Sequence, residues 1–435
     1  MLAERAFDVL LLCKQRFPED TPAARSAGTP YLGIRIFRKR SRPNCMKITG
    51  INVLGPKHGY LSFVEIHTDE GLTGIGATDA PWCIVSALVE HGSISLRSLL
   101  IGENPCEPRR LWKKMFEKWQ ARRGRGAEGG LAVNAMAALE MALWDLAGKA
   151  QGKTVCELLG GAVQPQVMAY ASASLFEVLT DGSWKKKTSE ELVRECRAFV
   201  GQGFKAIKSG WGNCFAPEDD DNLAAMREAI GPSIRLMVDF GCPAYWTEGW
   251  NAASAIRAAR MLEKHGVYFL EEAMRPDDVE GFSELSKAVD VKIATGESLT
   301  TVYQFDPFIE RRALDIVQPD AQQIGITQFD EVQRKAGAAG MLCVPHGPWT
   351  AMTVASHLHL LASAPNGDMV EYPGMTSFEY DPKLHREVSL NNFKIVEYPP
   401  QLKDGYLQLS SRPGLGVGNL VHEAIRELDE IYPRT

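Results

Sequence analysis

The nine cysteines include no Cys-x-x-Cys pair, which removes the commonest zinc and redox frameworks. Most of them, Cys156, Cys196 and Cys343 among them, sit inside apolar segments, the pattern of reduced core thiols in a cytoplasmic protein. There is no basic excess either: 48 Lys and Arg stand against 54 Asp and Glu, for a net charge of −6. Neither nucleic acid nor an anionic membrane is therefore an expected partner. No uninterrupted apolar run approaches the roughly 20 residues of a membrane span. A secretory signal is also missing, because Glu4, Arg5 and Asp8 interrupt the apolar stretch around FDVLLLC and no small-residue cleavage pattern follows. Low-complexity tracts and internal repeats, apart from one period described below, are absent.

What is present is length. At 435 residues, 45% hydrophobic and 23% charged, the chain can bury a sizeable core, and two domains are expected. Residues 1–45, with the basic run from Arg35 to Pro43, read as a disordered extension, with Met46 as a natural start. Strand-like sequence begins at Met46. MKITGINVL, LSFVEIHTD and TGIGAT form a meander, followed by helical sequence that ends in AVNAMAALEMALWDLAGKAQG. Residues 46–165 are thus expected to form an α+β capping domain, completed by about 385–435. From 166 to 384 short apolar runs alternate with helical stretches, the pattern of a (β/α)8 barrel of the TIM type. Gly266 and Gly340 stand where helices should end.

The informative feature is what ends those runs. Lys208, Asp239, Glu271, Glu297, Asp320, His346 and Glu371 follow successive apolar segments at intervals of 23–32 residues, the length of one βα unit. Polar residues at the C-terminal tips of parallel strands are the catalytic signature of such a barrel. Asp239, Glu271 and Glu297, on adjacent strands, form an oxygen-only ligand set suited to Mg2+. Strand alternation selects Glu271 over Glu272. Asp320 and His346, one unit apart, can pair, the carboxylate fixing the imidazole tautomer and raising its basicity. Glu371 can hydrogen-bond a substrate oxygen. His357 and His359, inside an apolar helix, receive no role.

With these residues in place, the chain from Met46 onward resembles the enolase superfamily and, within it, the mandelate racemase subgroup. ALWDLAGKAQGKTVCELLGG is similar to that family's stretch before the barrel. The resemblance implies metal ligands at Asp239, Glu271 and Glu297, a His–Asp dyad at His346 and Asp320, and a strand-eight glutamate at Glu371. It also exposes a departure. The subgroup's second strand usually ends in Lys-x-Lys, the second lysine being the base for one face of the substrate. Here FKAIKSG places Lys208 at the first position and Gly210 at the second, while Lys205 points outward.

A two-base racemase is thereby disfavoured. One histidine suffices for a Mg2+-dependent dehydratase of a sugar acid, aldonate or aldarate: His346 removes the α-proton, Lys208 and Glu371 help meet the charge of the enediolate, and a 2-keto-3-deoxy acid results. A cycloisomerase or epimerase of a sugar acid or its lactone is the alternative; a non-catalytic metal and sugar-acid binder is a reading from another class. Substrate contacts are expected from Lys57, His58, Tyr60 and Trp82 in the cap, with Thr78 and Asp79 beside them, and from Trp211 and Trp349 after barrel strands. Arg123 and Arg125 are either a solvated loop or a carboxylate clamp. The partner is a small sugar acid, and a homo-oligomer is expected.

Overall fold

Alternating apolar residues from Ile48 onward make the first sheet. In a computed structural model, β1 (Ile48–Leu54), β2 (Ser62–Thr68) and β3 (Thr73–Thr78) pair antiparallel in chain order. The structure describes residues 46–56, 59–91, 95–123, 129–178, 183–210, 217–373 and 392–431. The expectations for 1–45, and those for Lys57, His58, Arg125 and Trp211, lie outside them.

The helical sequence after the meander divides into α1 (Trp82–Glu90), α2 (Leu96–Leu100), α3 (Pro108–Arg123) and α4 (Leu131–Gln151). By length and mean hydropathy alone α4 could cross a membrane, although Asn134, Glu140 and Asp145 interrupt its apolar run. Its most apolar stretch is 89% buried within the fold, against the sheet and the barrel, which is why it is apolar on all sides. Gly74 and Gly76 on β3 let it lie directly on the sheet: a Cβ at either would come within 2.2 Å or less of the Ala142 or Ala138 carbonyl oxygen.

A short helix, α5 (Val155–Leu158), leads to β4 (Gln166–Ser174) and an unforeseen hairpin, β5 (Phe176–Val178) with β6 (Trp184–Lys186). Then strands and helices alternate. They are α6 (Ser189–Gly201), β7 (Ala206–Gly210), α7 (Pro217–Ile230), β8 (Arg235–Asp239), α8 (Ala252–Lys264), β9 (Val267–Glu271), α9 (Val279–Ala288) and β10 (Lys292–Thr295). The series continues with α10 (Val302–Arg311), β11 (Ile316–Val317), α11 (Ala321–Ala338), β12 (Leu342–Cys343), α12 (Ala351–Ala362) and β13 (Met369–Pro373). β4 and β7 to β12 pair parallel in order, β13 returns to β4, and a Cys343–Gly367 bridge closes the eight-stranded barrel. Seven strands and the residue after β12 contribute to an interior plug: Tyr170, Ala206, Met237, Phe269, Ala294, Ile316, Val344 and Met369, all buried.

The C-terminal segment ties both parts together. β14 (Leu402–Lys403) and β15 (Tyr406–Gln408) add an antiparallel hairpin to β4. Beyond it the backbone N–H of Leu415 donates to Asp145 of α4 at 2.9 Å, and Lys149 donates to the Gly418 carbonyl at 3.0 Å. The last helix, α13 (His422–Ile431), begins beside β2, where His422 meets Glu65 at 2.6 Å.

Two contacts lock the cap to the barrel mouth. Thr78 Oγ1 donates to the Gln322 carbonyl at 2.8 Å, and Gln323 Nε2 donates to Asp79 at 2.6 Å. Buried Glu140 of α4 accepts from the N–H groups of Ile326 (2.7 Å) and Thr327 (3.0 Å), capping the second half of α11 where Gly325 (φ 78°) breaks it.

Candidate active site

Side chains two residues further along each strand face the same way as the plug. That step leads from Ala206 to Lys208, from Met237 to Asp239, from Phe269 to Glu271, from Val344 to His346 and from Met369 to Glu371. It also reaches Ser172 and Gln318. Glu297 and Asp320 enter from just beyond β10 and β11. The seven expected strand-tip residues thus lie around one end of the barrel.

Asp239, Glu271 and Glu297 each present an oxygen within 4.8 Å of the other two. Lys208 is buried among carboxylates, with Nζ at 2.8 Å from Glu271, 3.3 Å from Glu371 and 3.6 Å from Asp239. Burial opposes its charge, but Glu271 and Glu371 outweigh burial and hold the amine firmly as ammonium. One ammonium does not balance the cluster. Burial, then the neighbouring carboxylates, push Glu271 up to about 8 in spite of Lys208, and burial likewise raises Glu297. Glu271 Oε1 is buried with no hydrogen-bond partner. An all-oxygen donor set, short of positive charge and with an orphaned carboxylate oxygen, fits a hard divalent cation such as Mg2+.

His346 Nδ1 lies 3.1 Å from Asp320 Oδ2 and its Nε2 3.5 Å from Glu297 Oε2. Burial alone would depress the imidazole, but Glu297, the Asp320 hydrogen bond and Glu371 raise it well above its ordinary value. The Glu297 charge that holds His346 protonated is the same charge a cation at the triad would take up. Asp320 is itself wholly buried. Burial would raise it, yet His346 and His357 bring it down to about 2. Gly347 makes this possible: at φ 108° a Cβ would sit 2.4 Å from Asp320 Oδ2, and the Gly347 N–H donates to Glu371 at 2.9 Å.

The absent lysine has no steric cause. A Cβ at Gly210 meets nothing closer than 3.5 Å. Lys205, exposed, packs its amine over the Tyr406 ring at 4.6 Å, outside the barrel. Of the expected aromatic contacts, Trp349 packs its ring edge-on at 6.1 Å from that of His346. Trp82 packs against the backbone of Gly55, its indole N–H buried without a partner, and Tyr60 is 73% exposed.

Four further residues have no role assigned from the sequence, which sets Glu272 and His357 aside and does not single out Gln318 or Trp246. Glu272, buried and pushed up to about 9 by burial and Glu297, follows Glu271 at a left-handed φ of 49°. His357 Nε2 accepts from the Ala321 N–H at 3.0 Å and lies 3.4 Å from Asp320. Gln318 is fully buried with neither amide atom partnered, although alternation from Ile316 signals its inward side. Trp246, 69% exposed, sits seven residues after Asp239 and donates to the Gly241 carbonyl at 3.0 Å.

Comparison with known proteins agrees with this architecture. Residues 191–419 match the enolase C-terminal domain-like family, and residues 38–160 the mandelate racemase / muconate lactonizing enzyme N-terminal domain. The chain is 30% identical to the arabinonate dehydratase of Saccharolobus solfataricus, over 81% of this chain and 86% of that one. It is 31% identical to the 3,6-anhydro-alpha-L-galactonate cycloisomerase of Streptomyces coelicolor, over 81% and 87% respectively. Among solved structures, the mandelate racemase/muconate lactonizing enzyme-like protein from Rubrobacter xylanophilus superposes with a TM-score of 0.75 at 25% identity, covering 88% of this chain and 97% of that one. The chain belongs to the enolase superfamily, within its mandelate racemase subgroup.

Proposed function

We propose that the protein is a Mg2+-dependent lyase that dehydrates a sugar acid through proton abstraction next to the carboxylate. The observation that carries this reading is one-sided proton chemistry beside an oxygen triad. His346 is poised by Asp320, while Lys208 is committed to three carboxylates and Gly210 offers no group. Asp239, Glu271 and Glu297 would hold the cation, which when bound neutralises charge on the substrate's carboxylate. His346 takes the α-proton through Nε2, while Asp320 holds the ring at Nδ1. The Lys208 ammonium, held in place by Glu371 at 3.3 Å, meets the charge that develops on the substrate oxygens. The imidazolium then gives its proton to the departing 3-hydroxyl, which leaves as water. The resulting enol tautomerises to a 2-keto-3-deoxy acid.

Related proteins named as dehydratases and as cycloisomerases support this chemistry at the level of sugar acids. Cycloisomerisation also needs a single base and is the second reading, favoured by the resemblance to the Streptomyces protein. The buried thiols of Cys156, Cys196, Cys242 and Cys343 suit a reducing, cytoplasmic setting. Incubating the protein and Mg2+ with a panel of aldonates, aldarates and lactones separates the readings. Dehydration yields a 2-keto acid lighter by one water. An isomer of unchanged mass points to cycloisomerisation, and no change across the panel refutes both.

A further inference from the structure

Among the described residues, Asp79 is an acidic group that the cap sends to the barrel mouth and that neither the metal triad nor the proton chemistry uses. It follows the last residue of β3. Its position is fixed twice, by the 2.6 Å hydrogen bond from Gln323 and by the adjacent Thr78–Gln322 bond. Gln323 in turn accepts from Asn134 of α4, so a polar chain spans cap and barrel. The Gln323 N–H donates to the Asp320 carbonyl at 2.9 Å, which sets Asp79 at the C-terminal end of β11, on the side of the dyad. Among the described residues, Asp320, His346 and Glu297 are the charges that act most strongly on it. Burial first, then Asp320, push its carboxyl up to about 6 against His346, so it is an anion at neutral pH, poorly compensated by charge.

Among the described residues, carboxylates outnumber cations at the mouth even apart from the triad. Asp79, Asp320 and Glu371 all face it, and among the described residues the only cationic side chains placed within this cluster are Lys208, already paired, and His346. A carboxylate in that position accepts hydroxyl hydrogen bonds and repels a second anion.

We propose that Asp79 is a specificity-determining residue that accepts a hydrogen bond from a hydroxyl on the substrate chain beyond C3 and excludes a second carboxylate there, so that the substrates are monoacid sugars rather than diacids. The inference rests on the sugar-acid reading above and narrows it.

Matched aldonate and aldarate pairs of the same configuration test it, with wild type and Asp79→Asn, by turnover and by calorimetric binding in Mg2+. Wild type should favour the monoacid at least tenfold in kcat/KM and in affinity. Asp79→Asn should raise the monoacid KM about tenfold, lower kcat by less, and narrow the preference. Asp79→Ser, smaller and uncharged, should narrow it as well, and thermal melts identify any variant that fails to fold. Equal or better use of diacids by wild type, or a preference unchanged in both folded variants, overturns the role of Asp79 while leaving the sugar-acid reading intact. If neither binding nor turnover of any acid sugar is found, the sugar-acid reading fails and this inference with it.

Discussion

The two ends of the barrel both carry charged side chains and treat them in opposite ways. At the N-terminal end, Arg235 bonds both oxygens of Asp368 at 2.9 Å, Tyr268 donates to the same carboxylate at 2.8 Å, and Arg235 and Lys292 cover the Tyr268 ring at 4.4 and 4.5 Å. Arg227 beside them spends its donors on four backbone carbonyls. A cleft of about 290 Å³ there is lined by Arg227, Arg235, Tyr268 and Lys292 among others. At the C-terminal end the carboxylates outnumber the cations, Glu271 Oε1 and the Gln318 amide are orphaned, and carboxyls are driven upward by burial. Satisfied charge contributes stability; unsatisfied buried charge is tolerated where a ligand completes it.

That contrast can be broken experimentally. The largest effect should come from His346→Asn, which removes the proton acceptor from the mouth: kcat should fall about 10³-fold or more with folding intact by circular dichroism. Mg2+ should raise the thermal midpoint by several degrees, about 3 kcal/mol at a hundredfold excess over Kd, and chelation or Glu271→Ala should abolish the shift. A melt that ignores Mg2+ would count against the triad.

A buried histidine away from the mouth sharpens the point. His359 on α12 accepts from the Cys156 N–H at 3.3 Å and meets the Leu415 carbonyl at 3.1 Å. Burial lowers it to about 4, despite that carbonyl. The unfolded chain, with a histidine near 6.5, binds more protons than the folded one between these values. Stability is full above pH 6.5, declines as pH falls through that window, and about 3 kcal/mol is gone below pH 4. Denaturant titrations from pH 7 to 4 should show this slope, and His359→Gln should flatten it.

The smallest effect belongs to the satisfied end. Asp368→Asn should cost about 1–2 kcal/mol of stability by weakening the bonds to Arg235 and Tyr268, with kcat unaltered. A loss of activity there would mean that the two ends are not separable.

The strand-tip residues were legible because a parallel barrel repeats: once the apolar runs are aligned, each inward position follows two residues after the plug. Lys208, Asp239, Glu271, His346 and Glu371 all obey that rule. Glu297 and Asp320 lie just past their strands, yet the unit length still exposed them. The fold class was readable for the same reason, and α4 through its density of small and large apolar residues. What stayed hidden depends on contacts between distant segments. Asp79 meets Gln323 across 244 residues, and His357 looked like an ordinary helix residue until α12 was packed against Asp320. The β5–β6 hairpin, three residues a side, is too short to show a period.

The claim at the centre is that protons leave and return on one side only. Following the substrate α-carbon by NMR in D2O, with Mg2+ saturating, tests it directly in wild type and His346→Asn. The account predicts product formation in wild type with recovered substrate unchanged in configuration, and neither exchange nor product in the variant. Epimer accumulating with wild type, or α-deuterium appearing with His346→Asn, would contradict it.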